Sequence, residues 1–260
     1  ALAIEPGHIE VRVRGLQNHD RVVKTIHRGQ RAAINLAGIR HDEILRGHEL
    51  ASPGHLRATK LVTAHLAILP SALRPLKNQS NVRVHMGTAE TLATVSLLEG
   101  SRLTPGTQAP VQLFLREPVT AVWNQPFVIR TESPMLTIGG GHILVPNAEK
   151  LRQAGTEIVS RLGELRSTDL LKRTSAALSF ATPSTEIVAD LARIAGIGDG
   201  QTVVEQLLEM GDLVLLRIPP SRVVQMHRIR LEQMFKMVAA YLEKLHRQNT
   251  LASTFDRSRV

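Results

Sequence analysis

Residues 8–14, HIEVRVR, alternate Ile9, Val11 and Val13 with Glu10, Arg12 and Arg14. A period of two predicts a strand with one face buried and the other in water. Asn18, His19 and Asp20 mark a turn, Val22–Ile26 reads as a second strand, and a further turn at Gly29 leads into Ala32–Leu36 as a third. Three strands in about fifty residues leave sheet edges open and call for a partner. Residues 57–147 can supply it, but the initial Ala in place of Met favours a missing upstream part.

After the Pro–Gly linker at 51–54, period-two segments recur at 60–69, 82–86, 91–98, 109–115, 126–131 and 142–145. Val82, Val84 and Met86 are expected inside with Arg83 and His85 outside. Val111, Leu113 and Leu115 alternate in the same way. Six strands joined by short turns predict a small closed barrel, which has no exposed edge. The run Gly139–Gly141 is expected between strands, allowing a bend without a side-chain clash. It is no phosphate loop, because no Lys-Ser or Lys-Thr pair follows it.

Beyond Pro146 the spacing changes to three and four. Helices are expected at 149–163, 168–180, 185–194, 203–210 and 229–248. Thr202 followed by Glu205 suggests a capping box for the fourth, and Gly211 can end it. The apolar run 213–218, a Pro219–Pro220–Ser221 turn and Val223–Met226 then predict a hairpin. Helix, turn, helix and hairpin is the order of a winged helix, here about 166–227. The fold class is therefore a mainly β N-terminal part, a partial barrel plus a closed one, followed by an α-rich winged-helix region. The predicted domains are 1–55, 56–147, 148–227 (a linker helix and the winged helix) and 228–260, a helix leading into a further, truncated winged-helix module.

Composition narrows the chemistry. The 260 residues contain no Cys, which excludes disulfides, a thiolate metal site and a cysteine nucleophile. The eleven His form no HExxH pattern. His41, Asp42 and Glu43, the densest set, crowd one turn and read as surface residues. No GxSxG elbow is present, so a hydrolase reading has no handle. Charge is the positive clue: 32 Lys and Arg against 23 Asp and Glu give +9, spread over all parts of the chain. Such an excess favours a polyanionic partner, and with aromatics at 3% the contacts would run through phosphates rather than stacked bases.

Among the cations, Arg31 is expected at the start of a strand, where a guanidinium can hold a carboxylate, a selenolate or a phosphate. Arg74, Lys77, Arg83 and Arg130 can form a phosphate-contacting surface on the barrel. Arg217, Arg222, Arg228 and Arg230 make a basic run at the hairpin. The helix before it, VVEQLLEM, carries Glu205 and Glu209 and no base, which argues against docking on nucleic acid through that face.

Several segments together resemble a known family. VRVRGLQNHDRVVKTIHRGQRAAINLAG at 11–38, RGHELASPG at 46–54, LRPLKNQSNVRVHMGTAETLATVSLLEG at 73–100 and LREPVTAVWNQPFVIRTESPMLTIGGGHIL at 115–144 are similar to bacterial selenocysteine-specific translation elongation factors, the SelB family. Looser likeness extends to other translational GTPases such as elongation factor Tu. The resemblance implies delivery of selenocysteinyl-tRNA to the ribosome, with an mRNA hairpin bound by distal winged helices. It implies GTP and Mg²⁺ as cofactors of the full-length family and a cytoplasmic location without membrane contact. In this likeness, residues 1–55 match part of the second domain and 56–147 the third. Arg31 matches the arginine of the selenocysteine pocket, and Arg74, Lys77, Arg83 and Arg130 fall on the tRNA-facing barrel. The pocket's Asp-Arg pair has no counterpart. GKS/T, DxxG and NKxD motifs are also missing, so the chain resembles the family without its GTPase domain, the first part of its second domain and its last winged helices, and is not expected to be an enzyme. The alternatives are an RNA- or ribosome-associated module without a G domain and, less favoured, a winged-helix DNA-binding regulator.

Overall fold

The computed structural model describes residues 1–151 and 155–248. The N-terminal region has five strands rather than three: β1 (Leu2–Glu5), β2 (Ile9–Asn18), β3 (Arg21–Val23), β4 (Ala33–Ala37) and β5 (Glu49–Ala51). They form one open sheet in the order β3-β2-β1-β5, with β4 also on β2. The strand LAIE escapes a period-two search because Ala3, Ile4 and Glu5 are all buried. His41–Glu43 form an exposed 3-10 turn in which Glu43 accepts the Arg40 N–H and Asp42 pairs with Arg40.

The next eight strands are β6 (Ala58–Ile68), β7 (Leu76–Lys77), β8 (Ser80–Met86), β9 (Ala89–Leu97), β10 (Arg102–Leu103), β11 (Gln108–Thr120), β12 (Pro126–Arg130) and β13 (Thr137–Val145). Six of them close a barrel in the order β11-β6-β13-β12-β8-β9, while β7 and β10 pair separately. Val62, Ala64, Leu66, Val82, Val84, Val111, Leu113 and Ile129 fill its interior, and Arg83 and His85 lie on the outer side as alternation requires. The glycines sit within β13, not between strands. Gly139, Gly140 and Gly141 face β6 and β12 so closely that a Cβ would lie 2.5, 2.6 and 1.8 Å from the carbonyl oxygens of Ala67, Phe127 and His65.

The helical part contains α1 (Thr156–Glu164), α2 (Leu170–Phe180), α3 (Ile187–Ala195) and α4 (Gln201–Glu209). The hairpin β14 (Leu213–Ile218) and β15 (Arg222–His227) and the long α5 (Arg228–Gln248) follow. Asp169 caps α2 by accepting from the Leu171 and Lys172 N–H groups. The Thr202 capping box does not form; α4 starts earlier, with Gly200 as its N-cap. Gly200 lies so close to Leu191 that a Cβ there would come within 2.2 Å of its Cδ1. Gly211, at φ 74°, ends α4 as expected. Ser184 bridges Gln225 in both hydrogen-bond directions, adding the short third strand of a winged helix. The expected first helix begins at Thr156 rather than 149, and the end of the expected 228–260 module, from 249 onward, lies outside the described residues. Among the described residues no helix is long and apolar enough to cross a membrane.

Barrel and helices share a seam. Leu144 and Val145, at the end of β13, belong to the helical core with Leu162, Leu165, Leu178, Leu191 and Leu207. Trp123 donates twice, its backbone N–H to the Arg193 carbonyl (2.7 Å) and its indole N–H to the Leu165 carbonyl (3.0 Å). The Arg173 guanidinium stacks 4.5 Å from its ring centroid. Asp190 accepts from both Arg57 of the barrel side and buried Arg193, which also donates to Asn147. Gln112 faces outward yet is fully buried. Its amide donates to Thr63 and to the Glu149 carbonyl and accepts from the Leu151 N–H, tying the linker to β11.

Candidate nucleic-acid interface

Arg31 is exposed and lies two residues before β4, on the loop from β3, rather than at the strand start. The loop is shaped by His27 and Gln30: the Gln30 side chain accepts the His27 N–H at 2.8 Å, and Gly29 takes φ 86°. No ion pair engages Arg31 among the described residues, so its guanidinium is open to solvent.

The four barrel cations separate into two kinds. Arg74 sits on the exposed loop before β7, and Lys77 on β7 stands directly opposite Arg102 of β10. Both are exposed. Arg83 and Arg130 are opposite each other on β8 and β12, but each has a protein partner. Arg83 donates to Glu90 at 2.6 Å and holds that carboxyl below its usual range. Arg130 donates to the Met135 carbonyl, supporting the loop from β12 to β13. That loop and residues 71–76 are the walls of a groove of about 590 Å³. Arg74 stands on its rim, beside Leu73 and Leu136, which are exposed apolar residues. Arg102 was not a sequence candidate, since its approach to Lys77 depends on a pairing between strands only two residues long.

The hairpin basic run is likewise divided. Arg217 pairs in register with Val223, and Arg222 with Ile218, so the two point to opposite faces of the hairpin. Arg230 makes two hydrogen bonds to Glu149, at 2.9 and 2.5 Å. Arg228 lies 3.9 Å from both Asp212 and Glu232. The segment without acids in sequence thus meets acids in space. On α4, Glu205 and Glu209 are exposed, and Gln201 donates to Glu205 at 2.7 Å.

One cluster has the residue types of a hydrolase triad. Ser175 Oγ lies 3.0 Å from His227 Nε2 and 2.9 Å from Asp212. Polarity runs the wrong way for a nucleophile. His227 Nδ1 accepts the Ile229 N–H, so the ring proton sits on Nε2 and points at the serine, whose own proton goes to Asp212. Burial pushes His227 down to about 4; Asp212 opposes this, while Arg161 and Arg228 add to it. The ring cannot serve as the serine's base. Among the described residues no group of three His, Asp or Glu side chains is placed to hold a metal ion.

A closed six-strand barrel thus follows an open sheet in the chain and precedes a winged helix. The family model for the β-barrel domain of selenocysteine-specific elongation factors matches residues 58–150, the six-strand barrel and its exit. The selenocysteine-specific elongation factor of Desulfomicrobium baculatum is 33% identical over 172 residues, covering 65% of this chain and 27% of that protein. Residues 58–150 are thus a barrel of the selenocysteine-specific elongation factor family, and the chain is a relative of those factors spanning about a quarter of the relative's length. The crystal structure of sup35 complexed with GDP matches with a TM-score of 0.50 at 17% identity, over 55% of this chain and 39% of that one, a likeness of fold. The family model covers the barrel, and these 260 residues contain no GxxxxGK[ST] loop.

Proposed function

We propose that this chain is the tRNA-contacting part of a selenocysteine-specific elongation factor, whose whole serves to bring selenocysteinyl-tRNA to the ribosome. The observation that carries the reading is the match of residues 58–150 to the family's barrel. Residues 1–55 stand as part of the second domain and 56–147 as the third. The linker helix and winged helix, 148–227, stand as a positioning element, and α5 as the lead into a further winged-helix module. Arg31 meets the aminoacyl group, and Arg74 and Lys77, with Arg102 beside them, meet phosphates. Arg83 and Arg130 contribute less because protein groups already occupy them. GTP chemistry and binding of the mRNA hairpin belong to other parts of such a factor.

The test is fluorescence anisotropy with charged and uncharged selenocysteine tRNA. Arg31→Ala should narrow any difference between the two while leaving affinity for uncharged tRNA within about twofold, a change of under about 0.5 kcal/mol. An equal loss for both tRNAs would remove Arg31 from the aminoacyl pocket. Failure of the full chain to bind tRNA at low salt would overturn the reading as a whole.

A further inference from the structure

A second cationic cluster lies on the outer barrel face, away from Arg74 and Lys77. His65 of β6 and His142 of β13 are directly opposite in register, so their side chains stand about 5 Å apart. Ala64, Leu66 and Ile143 on either side point into the core, which directs both histidines outward. Arg166, in the turn after α1, reaches over from the helical part, its Nη1 3.0 Å from His65 Nε2. A guanidinium has donors only, so His65 Nε2 accepts and the ring's proton sits on Nδ1. Burial first, then Arg166 and His142, push His65 below its ordinary value. On the other side β11 presents Pro110, flanked by Gln108 and Gln112, none of them charged. Among the described residues no carboxylate pairs with His65.

Arg166 donates to an uncharged His65, and among the described residues no carboxylate pairs with the cluster, so protonation of either histidine sets like charges side by side where β6, β13 and the α1–α2 turn meet. An anion between them turns that repulsion into attraction. We infer that His65, His142 and Arg166 form a phosphodiester-binding site at the junction of barrel and winged helix, and that its occupant is an RNA backbone phosphate. The site rests on the reading of this chain as an RNA-contacting module and deepens it. The charge of +9 over the whole chain and the exposed Arg74 and Lys77 on the same barrel favour a long polyanion over an isolated ion. On binding, Arg166 turns from His65 to the phosphate, and Nε2 is freed to take a proton and donate. Because the linkage runs from seam to ligand, bound RNA also fixes the barrel against the helices.

Two measurements on the full chain test this. In histidine NMR titrations, replacing chloride by inorganic phosphate at constant ionic strength should raise the His65 titration midpoint by about one unit, and Arg166→Ala should remove the rise. In anisotropy with structured tRNA, affinity should increase by up to about tenfold between pH 7.5 and 6. His142→Gln, at an exposed position, and His65→Gln should each flatten that increase. Arg166→Ala should lower the slope of log K against log salt by nearly one unit, taking the duplex coefficient of about 0.9 per phosphate as a guide. A phosphate-induced rise with RNA binding insensitive to all three variants would show a small-anion site and overturn the RNA occupant. RNA binding that is lost on neutralising Arg74 and Lys77 but unchanged in these variants would overturn this site alone. No RNA binding at all would overturn this proposal together with the broader reading, and a His65 midpoint unmoved by phosphate overturns the site itself.

Discussion

His227 shows how a single buried side chain sets a pH limit on the fold. Its value of about 4 lies below the ordinary 6.5, chiefly because burial penalises the charged ring. The unfolded chain therefore binds the extra proton between those two values, so stability rises with pH across the window. The contribution is complete above about 6.5 and is lost as pH falls toward 4, with a ceiling of about 3 kcal/mol. Denaturant midpoints measured at pH 7 and pH 4.5 should differ less in His227→Gln than in the wild type; parallel curves for the two would show that His227 is not the sensitive group. Glycine gives the steric counterpart. Adding a Cβ at Gly141 puts it 1.8 Å from the His65 carbonyl oxygen, whereas at Gly163 on α1 nothing lies within 4 Å. Gly141→Ala must separate β13 from β6 and should cost about 3 kcal/mol or more. Gly163→Ala should stabilise by up to about 1 kcal/mol through helix propensity. Thermal unfolding of the pair would measure both signs, and equal midpoints would contradict the close approach at β13.

At the scale of elements, the barrel was legible and its seam was not. β8, β9 and β12 bury alternate positions, and although the helical part also covers stretches of β6, β11 and β13, enough alternation of residue type remains for period two to mark all six. Their order, β11-β6-β13-β12-β8-β9, depends on pairings between distant segments that no local pattern encodes. The strand at Leu2–Glu5 was invisible for the opposite reason, being buried at consecutive positions. The capping motif at Thr202 lost to packing, because Gly200 against Leu191 fixes where α4 begins. Among the candidate cations, residue type was readable but occupation was not: Arg83, Arg130 and Arg230 found partners 5 to 81 residues away along the chain. The seam predicts a particular weakness. Trp123→Ala removes the hydrogen bond to Leu165 and the ring beneath Arg173, and should cost about 3 kcal/mol. Hydrogen exchange should then quicken in α2 and α3 while Val62–Leu66 stay protected; uniform loss in both would mean that barrel and helices unfold as one unit. The N-terminal sheet should be the least protected element in the wild type. It is open at its edges, and Val13, Val22 and Ile34 are exposed. Protection of Val11–Val13 equal to that of Val82–Met86 would refute this.

For the whole molecule, the excess of +9 has to be divided between cations already neutralised and cations still available. Salt dependence measures the second group alone, since each phosphate neutralised by a protein cation releases condensed counterions. On the barrel, Arg74, Lys77 and Arg102 are exposed and have no acidic partner among the described residues, whereas Arg83 is held by Glu90. At the start of α5, Arg228 and Arg230 face Asp212, Glu232 and Glu149, and on the hairpin Arg217 and Arg222 point to opposite faces. One RNA surface can therefore meet only one of those two. Neutralising Arg74, Lys77 and Arg102 together should lower the slope of log K against log salt by between about 2 and 3 units, at roughly 0.7–0.9 per contact. Neutralising Arg217, Arg222, Arg228 and Arg230 should lower it by about one, despite the larger number of charges removed. Anisotropy of labelled tRNA between about 50 and 200 mM salt, the range over which such contacts dominate, gives both slopes in one series. The reverse ranking, with the hairpin set abolishing binding and the barrel set leaving it intact, would move the polyanion site to the winged helix. It would also mean that the acids facing Arg228 and Arg230 yield those arginines to RNA.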